Sequence, residues 1–359
     1  MAPNFTAAMH PMLIGSMPLE DHSAALDLVL GCCPKIPNWV QLPAFTIEQM
    51  IPQFLAGMPG LRRAGERQFI DLADPAFDTE LLAFYEDYLA AAEAPDICDT
   101  RFALSPEVAG GFFTLRRYLD SPRADLVAVK GQVTGPVTFA TGVKDGEGRA
   151  IFYDDRARDT AVKLLALNAR WQVQQLARAD APVIIFIDEP AMAGFGSSEL
   201  ISISTEQIHT CLTEIVDTVH AAGGLAGIHV CANTDWSLVL GAGVDIVNFD
   251  AYNYFEKFAL YAEDVRRFID AGGIVAWGIV PTANPEDIDR ETVERLYERW
   301  QRYLAALEAI GISRPRLQRQ SLITPSCGMG SLDIERVHHI LKLTRGLSDR
   351  LRTAAGFSN

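Results

Sequence analysis

Short apolar runs alternate with stretches of helical spacing along most of this chain. The runs cover 11–18, 38–43, 126–133, 182–187, 225–231, 244–249, 274–281 and 321–324. Several are continuously apolar, as in Val183-Ile184-Ile185-Phe186-Ile187. A strand that is apolar on both sides belongs in a parallel sheet covered on both faces. Helical spacing follows most of the runs, over 21–30, 155–179, 204–222, 255–271, 285–310 and 332–347, with a short helix at 236–240. Gly223-Gly224 and Gly272-Gly273 stop two of these helices. Repeated strand–helix units, eight strands in all, predict an α/β fold of the (β/α)₈ TIM barrel type, one domain spanning 1–359. A doubly wound open sheet is the alternative, and no strand–Gly-x-Gly-x-x-Gly–helix element supports it.

The alternation breaks between 44 and 121. Helices are predicted at 46–55, opened by a Thr46/Gln49 capping box, at 78–92, and from Ser105-Pro106-Glu107 to Leu119. No strand is predicted there. This block reads as a helical insertion after strand two.

Composition sharpens the picture. Of 359 residues, 49% are hydrophobic and 21% charged, which is globular. The net charge of −15 comes with no dense Lys/Arg run, so nucleic acid is excluded as a partner. No apolar run reaches the roughly 20 residues that cross a membrane. Met1-Ala2-Pro3-Asn4-Phe5 has no basic, then apolar, leader pattern, and a cytoplasmic location is expected. Cys32, Cys33, Cys98, Cys211, Cys231 and Cys327 are scattered, which suits free thiols or metal ligands rather than a disulfide framework. Cys32, Cys33 and Cys211 read as packing residues.

In a barrel of this kind the site lies where the strands end. Those ends carry Ser16, Gln41, Thr134, Asp188-Glu189, His229/Cys231, Asp250, Pro281-Thr282 and Cys327. Side chains alternate faces along a strand, so His229 and Cys231 point the same way, about 7 Å apart. Zinc takes imidazole nitrogen, thiolate and carboxylate, and His229, Cys231, Asp250 and Cys327 offer that set at one mouth. The plainer alternative has Cys327 packing in the core and Asp250 capping the next helix.

Five pieces carry a resemblance: Ile14-Gly15-Ser16-Met17-Pro18, Gly131-Gln132-Val133-Thr134-Gly135-Pro136-Val137-Thr138, Ile187-Asp188-Glu189-Pro190-Ala191, His229-Val230-Cys231 and Ser326-Cys327-Gly328. In this order they resemble the catalytic domain of cobalamin-independent methionine synthase, within a superfamily that includes uroporphyrinogen decarboxylase. The resemblance implies that His229, Cys231 and Cys327 ligate zinc, with Asp250 where the family has a Glu. It implies that Ser16 and the backbone at Ile14 hold a substrate carboxylate. Asp188 would be the catalytic-site carboxylate that binds the substrate's ammonium group. Gln41-Leu42-Pro43 stands where the family has His-Gly-Glu, which places Gln41 among the substrate-binding residues. Of the pair Asp188-Glu189, only one can face inward, and the resemblance selects Asp188.

The function expected is zinc-dependent methyl transfer to a thiol such as homocysteine, from a corrinoid protein or a folate-type donor. Zinc holds an incoming thiol as the nucleophilic thiolate, and Asp250 is the ligand expected to yield to it. Candidate partners are the small thiol, the corrinoid protein and a second copy of the chain in a homodimer. Two alternatives compete. One is a metal-free decarboxylase, whose polycarboxylate substrate would need cations such as Arg62-Arg63. The other is a non-catalytic barrel that binds a thiol or metal.

Overall fold

The structure, a computed structural model, describes residues 5–121, 123, 125–194 and 202–357. Residues 1–4, part of the stretch read for a leader, lie outside the described residues. The first ladder is an antiparallel hairpin, β1 (Leu61–Ala64) with β2 (Arg67–Ile70). Six further strands follow: β3 (Val129–Thr134), β4 (Val183–Asp188), β5 (Leu225–Val230), β6 (Ile246–Phe249), β7 (Ile274–Val280) and β8 (Ser321–Pro325). They pair in chain order, every pair parallel, in one curled sheet. Every residue of these six strands is buried, as their apolar sequences require.

The two faces of the sheet are distinct. Ile184, Phe186, Leu225, Ile246, Ile274, Ala276 and Leu322 form a small cluster on the inner face, with Met12 and Ile36. Their strand neighbours Ile185, Ile187, Ala226, Ile228, Val247 and Val275 belong to the large outer core beneath the helices. The two-residue period of a strand makes this division.

The first two predicted strands are not ladders. The segment 11–16 makes single bridges, Pro11 to Ile323 on β8 and Ser16 to Gln41, and Asn38 bridges to Lys130 on β3. Pro11, Pro18, Pro37 and Pro43 lie in or beside these runs, and proline has no N–H to give a ladder.

The insertion differs from its prediction in three places. The hairpin over 61–70 was missed because Arg62-Arg63-Ala64-Gly65-Glu66-Arg67 has no apolar alternation. It turns at Gly65, whose φ of +61° is left-handed. The helix at 46–55 is two single turns, Thr46–Glu48 and Pro52–Phe54. Pro52 cannot continue a helical hydrogen-bond ladder, and Gln49 bonds the Pro43 carbonyl instead of closing a capping box. The third helix begins at Gly110 rather than Ser105.

Elsewhere the helices hold, with two splits. The stretch 255–271 is two helices, Ala251–Ala259 and Ala262–Asp270. The stretch 285–310 divides into Pro285–Arg290 and Val293–Ala309, where Thr292 caps the second helix through the Arg295 amide. Ser204 and Gln207 form a complete capping box at the start of Thr205–Ala221. The last helix runs longer than its pattern, Ile334–Ala355. Among the described residues no helix is long and apolar enough to cross a membrane.

Candidate metal centre

The apolar cluster fills only the lower part of the inner face. Two residues further along each strand the inward side chains turn polar. Lys130 follows Ala128, Asp188 follows Phe186, Asn248 follows Ile246 and Thr324 follows Leu322. On β5 the same parity carries His229 and, just past the strand, Cys231. Asp188, His229, Asn248 and Thr324 sit toward the C-terminal ends of parallel strands, so they converge, while Lys130, near the start of β3, meets Asp188 through its charge.

His229, Cys231 and Cys327 come together: one ligand atom from each lies within 4.8 Å of the others. His229 is buried. Its Nδ1 meets the Asn248 side-chain oxygen, and its Nε2 is buried without a partner among the described residues. Burial pushes the imidazole down to about 4, against the opposing Asn248 contact, so the ring is neutral and able to ligate. A hydrogen bond from Cys327 lowers the Cys231 thiol to about 7. Cys327, the donor, is pushed up by that same bond and by burial. One nitrogen and two sulfurs at this spacing are a donor set suited to zinc, and the unpartnered Nε2 is the imidazole atom that would ligate such an ion.

Asp250 lies outside that group of three. It caps the helix Ala251–Ala259, accepting from the Asn253 amide at 3.0 Å and the Asn253 side chain at 2.7 Å. It is near enough for its charge to oppose ionisation of Cys231. Burial holds its own pKa above the usual carboxylate range.

Asp188 ends β4, buried, and its Oδ1 has no partner among the described residues. Burial raises it to about 7, while the Lys130 charge pulls the other way. Lys130 is itself fully buried and lowered to about 8 by burial, opposed by Asp188. Its Nζ donates to the Ile14 carbonyl at 2.5 Å and to Gln132 Oε1 at 3.2 Å, and lies 5.0 Å above the Phe186 ring. Glu189 faces away from Asp188 and does structural work. Its carboxylate accepts from the Val137 amide, the Thr138 amide and the Thr138 hydroxyl at 2.8, 2.8 and 2.6 Å, at the N-terminus of the helix Pro136–Gly142.

Ser16 stands beside the loop that carries Cys327. Its Oγ accepts from the Gly330 amide at 3.2 Å, and a Cβ on Gly328 would lie 2.2 Å from it. Gln41 is turned toward the insertion: its Nε2 donates to Gln53 Oε1 at 2.7 Å, and Gln53 in turn donates to the Val108 carbonyl at 2.6 Å. Ile14 meets the site through its carbonyl, which is occupied by Lys130. Arg62, the cation weighed for decarboxylation, is paired with Asp74 at 2.8 Å and Glu80 at 2.7 Å in the hairpin region.

Lys130, Asn248 and Thr324 lie within strand bodies, where the apolar run around each conceals a polar residue. Strand parity was the available signal, because each lies two residues beyond an inner-face apolar residue.

The sequence matches the family described as cobalamin-independent synthase, catalytic domain, over residues 113–349. No curated protein matches it. Among solved structures it is similar to a B12-independent methionine synthase from Shewanella sp. W3-18-1 in complex with selenomethionine. The identity is 15% and the TM-score 0.55, covering 96% of this chain and 98% of that one. A catalytic module of a pneumococcal exo-beta-D-N-acetylglucosaminidase aligns at 9% identity and a TM-score of 0.47, over 96% of this chain and 85% of that one.

Proposed function

The chain belongs to the family of cobalamin-independent synthase catalytic domains, and on that premise we propose that it methylates the sulfur of a small thiol of the homocysteine class at a zinc site made by His229, Cys231 and Cys327. The observation that carries this reading is the convergence of an orphaned imidazole nitrogen and two thiols at the polar end of the sheet. Family membership makes the chain an enzyme of the methyltransferase kind.

The zinc would supply one thing, stabilisation of the incoming thiol as a nucleophilic thiolate at neutral pH. The chain's own residues do the rest. Asp188, with its unpartnered oxygen, receives the acceptor's ammonium group. Lys130 favours the charged form of that carboxylate against its burial and holds the Ile14 carbonyl in place. The Ser16 hydroxyl and the Ile14 amide N–H, rather than the Ile14 carbonyl that Lys130 holds, take the acceptor's carboxylate next to the Cys327 loop. Gln41 contributes an uncharged contact, its amide already anchored to Gln53. Asp250 would be the further ligand to such an ion, and to serve it would have to give up its bonds from Asn253.

We read the bridged segments 11–16 and 38–41 as the first two staves of an eight-stranded barrel, with 1–359 as one domain and the site at its C-terminal mouth. The donor we assign is folate-type rather than a corrinoid protein, because the family is defined by independence of cobalamin. The decarboxylase alternative is weakened, since Arg62 of the Arg62-Arg63 pair is already engaged by Asp74 and Glu80.

Elemental analysis tests the reading. The purified protein should carry about one zinc per chain. Cys231→Ser should lose most of it, and methyl transfer with it. A zinc-free preparation that methylates homocysteine unaided would sink the proposal.

A further inference from the structure

Asn248 lies fully buried in β6, between Val247 and Phe249. An amide in such a place is expensive unless its hydrogen bonds are met. These are met. Its Nδ2 donates to the Ala276 carbonyl on β7 at 2.7 Å and to the Thr324 hydroxyl on β8 at 2.8 Å. Its Oδ1 faces Nδ1 of His229 on β5.

The partners fix which end of the amide is which. A backbone carbonyl can only accept, so the group facing Ala276 must be the nitrogen. The oxygen therefore faces His229. An amide oxygen also can only accept, so His229 Nδ1 must carry the ring's proton. A neutral imidazole has one such proton. Nε2 is then bare, and it is the buried ring nitrogen with no partner among the described residues.

We propose that Asn248 is the positioning residue of the metal centre: anchored to Ala276 and Thr324, it locks His229 in the Nδ1-protonated tautomer and leaves Nε2 as a preformed donor beside Cys231 and Cys327. Its purpose rests on the zinc reading above, but the tautomer does not. The lock spans four adjacent strands, so the imidazole is held against the sheet as a whole. Thr324 also lies three residues before Cys327, so the same amide ties the histidine strand to the segment that delivers the second thiol. Such a partner fixes both ring orientation and tautomer, and losing it typically weakens metal binding about 10–100-fold.

The experiment is long-range ¹H–¹⁵N correlation of the histidine rings in the metal-free full-length protein, with His229 assigned as the ring missing from His229→Gln. Zinc affinity is measured beside it by competition with a chromogenic chelator. The wild type should show a protonated Nδ1 and a bare Nε2. Asn248→Leu, of similar volume, should shift proton occupancy to Nε2 and weaken zinc binding by about 10–100-fold. Asn248→Asp, which keeps an oxygen facing Nδ1, should restore the Nδ1–H signature. A proton on Nε2 in the wild type overturns the proposal, as does a folded Asn248→Leu with unchanged ring signals and zinc affinity. Should Asn248→Leu fail to fold, the wild-type spectrum decides alone. A wild type with protonated Nδ1 that takes up no zinc would overturn the methyltransferase reading while supporting the tautomer lock.

Discussion

Lys130 and Asp188 are opposite charges sealed into one apolar wall, and each alters what the other can do. Burial favours the neutral form of both. Their mutual attraction works against burial and favours the ionised pair, though burial is the larger effect on each. Lys130→Met removes the attraction and leaves the burial, so the Asp188 pKa must rise above its present value of about 7. If Asp188 binds the acceptor's ammonium as a carboxylate, the acidic limb of the kcat/KM profile moves to higher pH in this variant. KM for the thiol should rise more than kcat falls, because the lost interaction is one of binding. An acidic limb that stays in place would separate Lys130 from Asp188. At this scale the structure brings together His229, Cys231 and Cys327, which were legible as candidates from their places at strand ends. Lys130 and Asn248 were not, because a polar residue within an apolar run reads as an interruption until its face is known.

The turn from β3 into the helix Pro136–Gly142 is built around Glu189, which belongs to a different element. Its carboxylate lies over the first turn of that helix, where free amides and the helix dipole favour an anion. Gly135 makes the fit: a Cβ there would lie 2.1 Å from the Glu189 carboxyl carbon. Gly135→Ala should therefore destabilise the protein by about 1–3 kcal/mol, as overpacking does elsewhere, read in urea unfolding. Glu189 adds a pH signature. Its pKa is raised from 4.5 to about 7 on folding, chiefly by burial. A raised folded pKa means that its stabilising contribution is full below the unfolded value and fades as pH rises through the folded one. The Tm advantage of wild type over Glu189→Gln should shrink between pH about 4.5 and about 7 and then level off. A constant difference across that range would mean that Glu189 does not exchange its proton on unfolding. Elements with a capped start, such as Thr205–Ala221, were legible residue by residue. The hairpin at 61–70 was not: its strands are short and charged, held by a Gly65 turn and by Arg62 pairing rather than by an apolar face.

Across the whole molecule the first segment of the chain is held by its last helix. Ser348 donates to the Met9 carbonyl at 2.7 Å and Arg352 to the Ala8 carbonyl at 2.7 Å, where Ala8 and Met9 both have positive φ. The candidate metal site makes a second long-range tie, because His229 and Cys327 reach it from β5 and from the loop after β8. An ion bound there only in the folded state stabilises by mass action, about 2.7 kcal/mol at a free concentration 100 times its Kd. Zinc should raise the Tm of the wild type, and a chelator should reverse the rise. In His229→Ala the difference should disappear. Equal shifts in both proteins would place the binding elsewhere.

The alternation of strands and helices from 126 onward, the parallel sheet and the candidate soft ligands followed from sequence alone. The physical reason is that periodicity, caps and glycine stops act locally, and the residue types able to bind zinc are few. Tertiary structure alone decided the rest. It showed that the first two apolar runs, each bounded by prolines, make bridges rather than ladders. It showed Asp250 engaged with Asn253 and Glu189 with a neighbouring helix, contacts that chain order does not encode. It gave His229 its tautomer, which depends on an amide in the next strand and on two acceptors in the strands beyond. Residue type tells which atoms can ligate, and only the surrounding hydrogen bonds determine which of them is left free to do so.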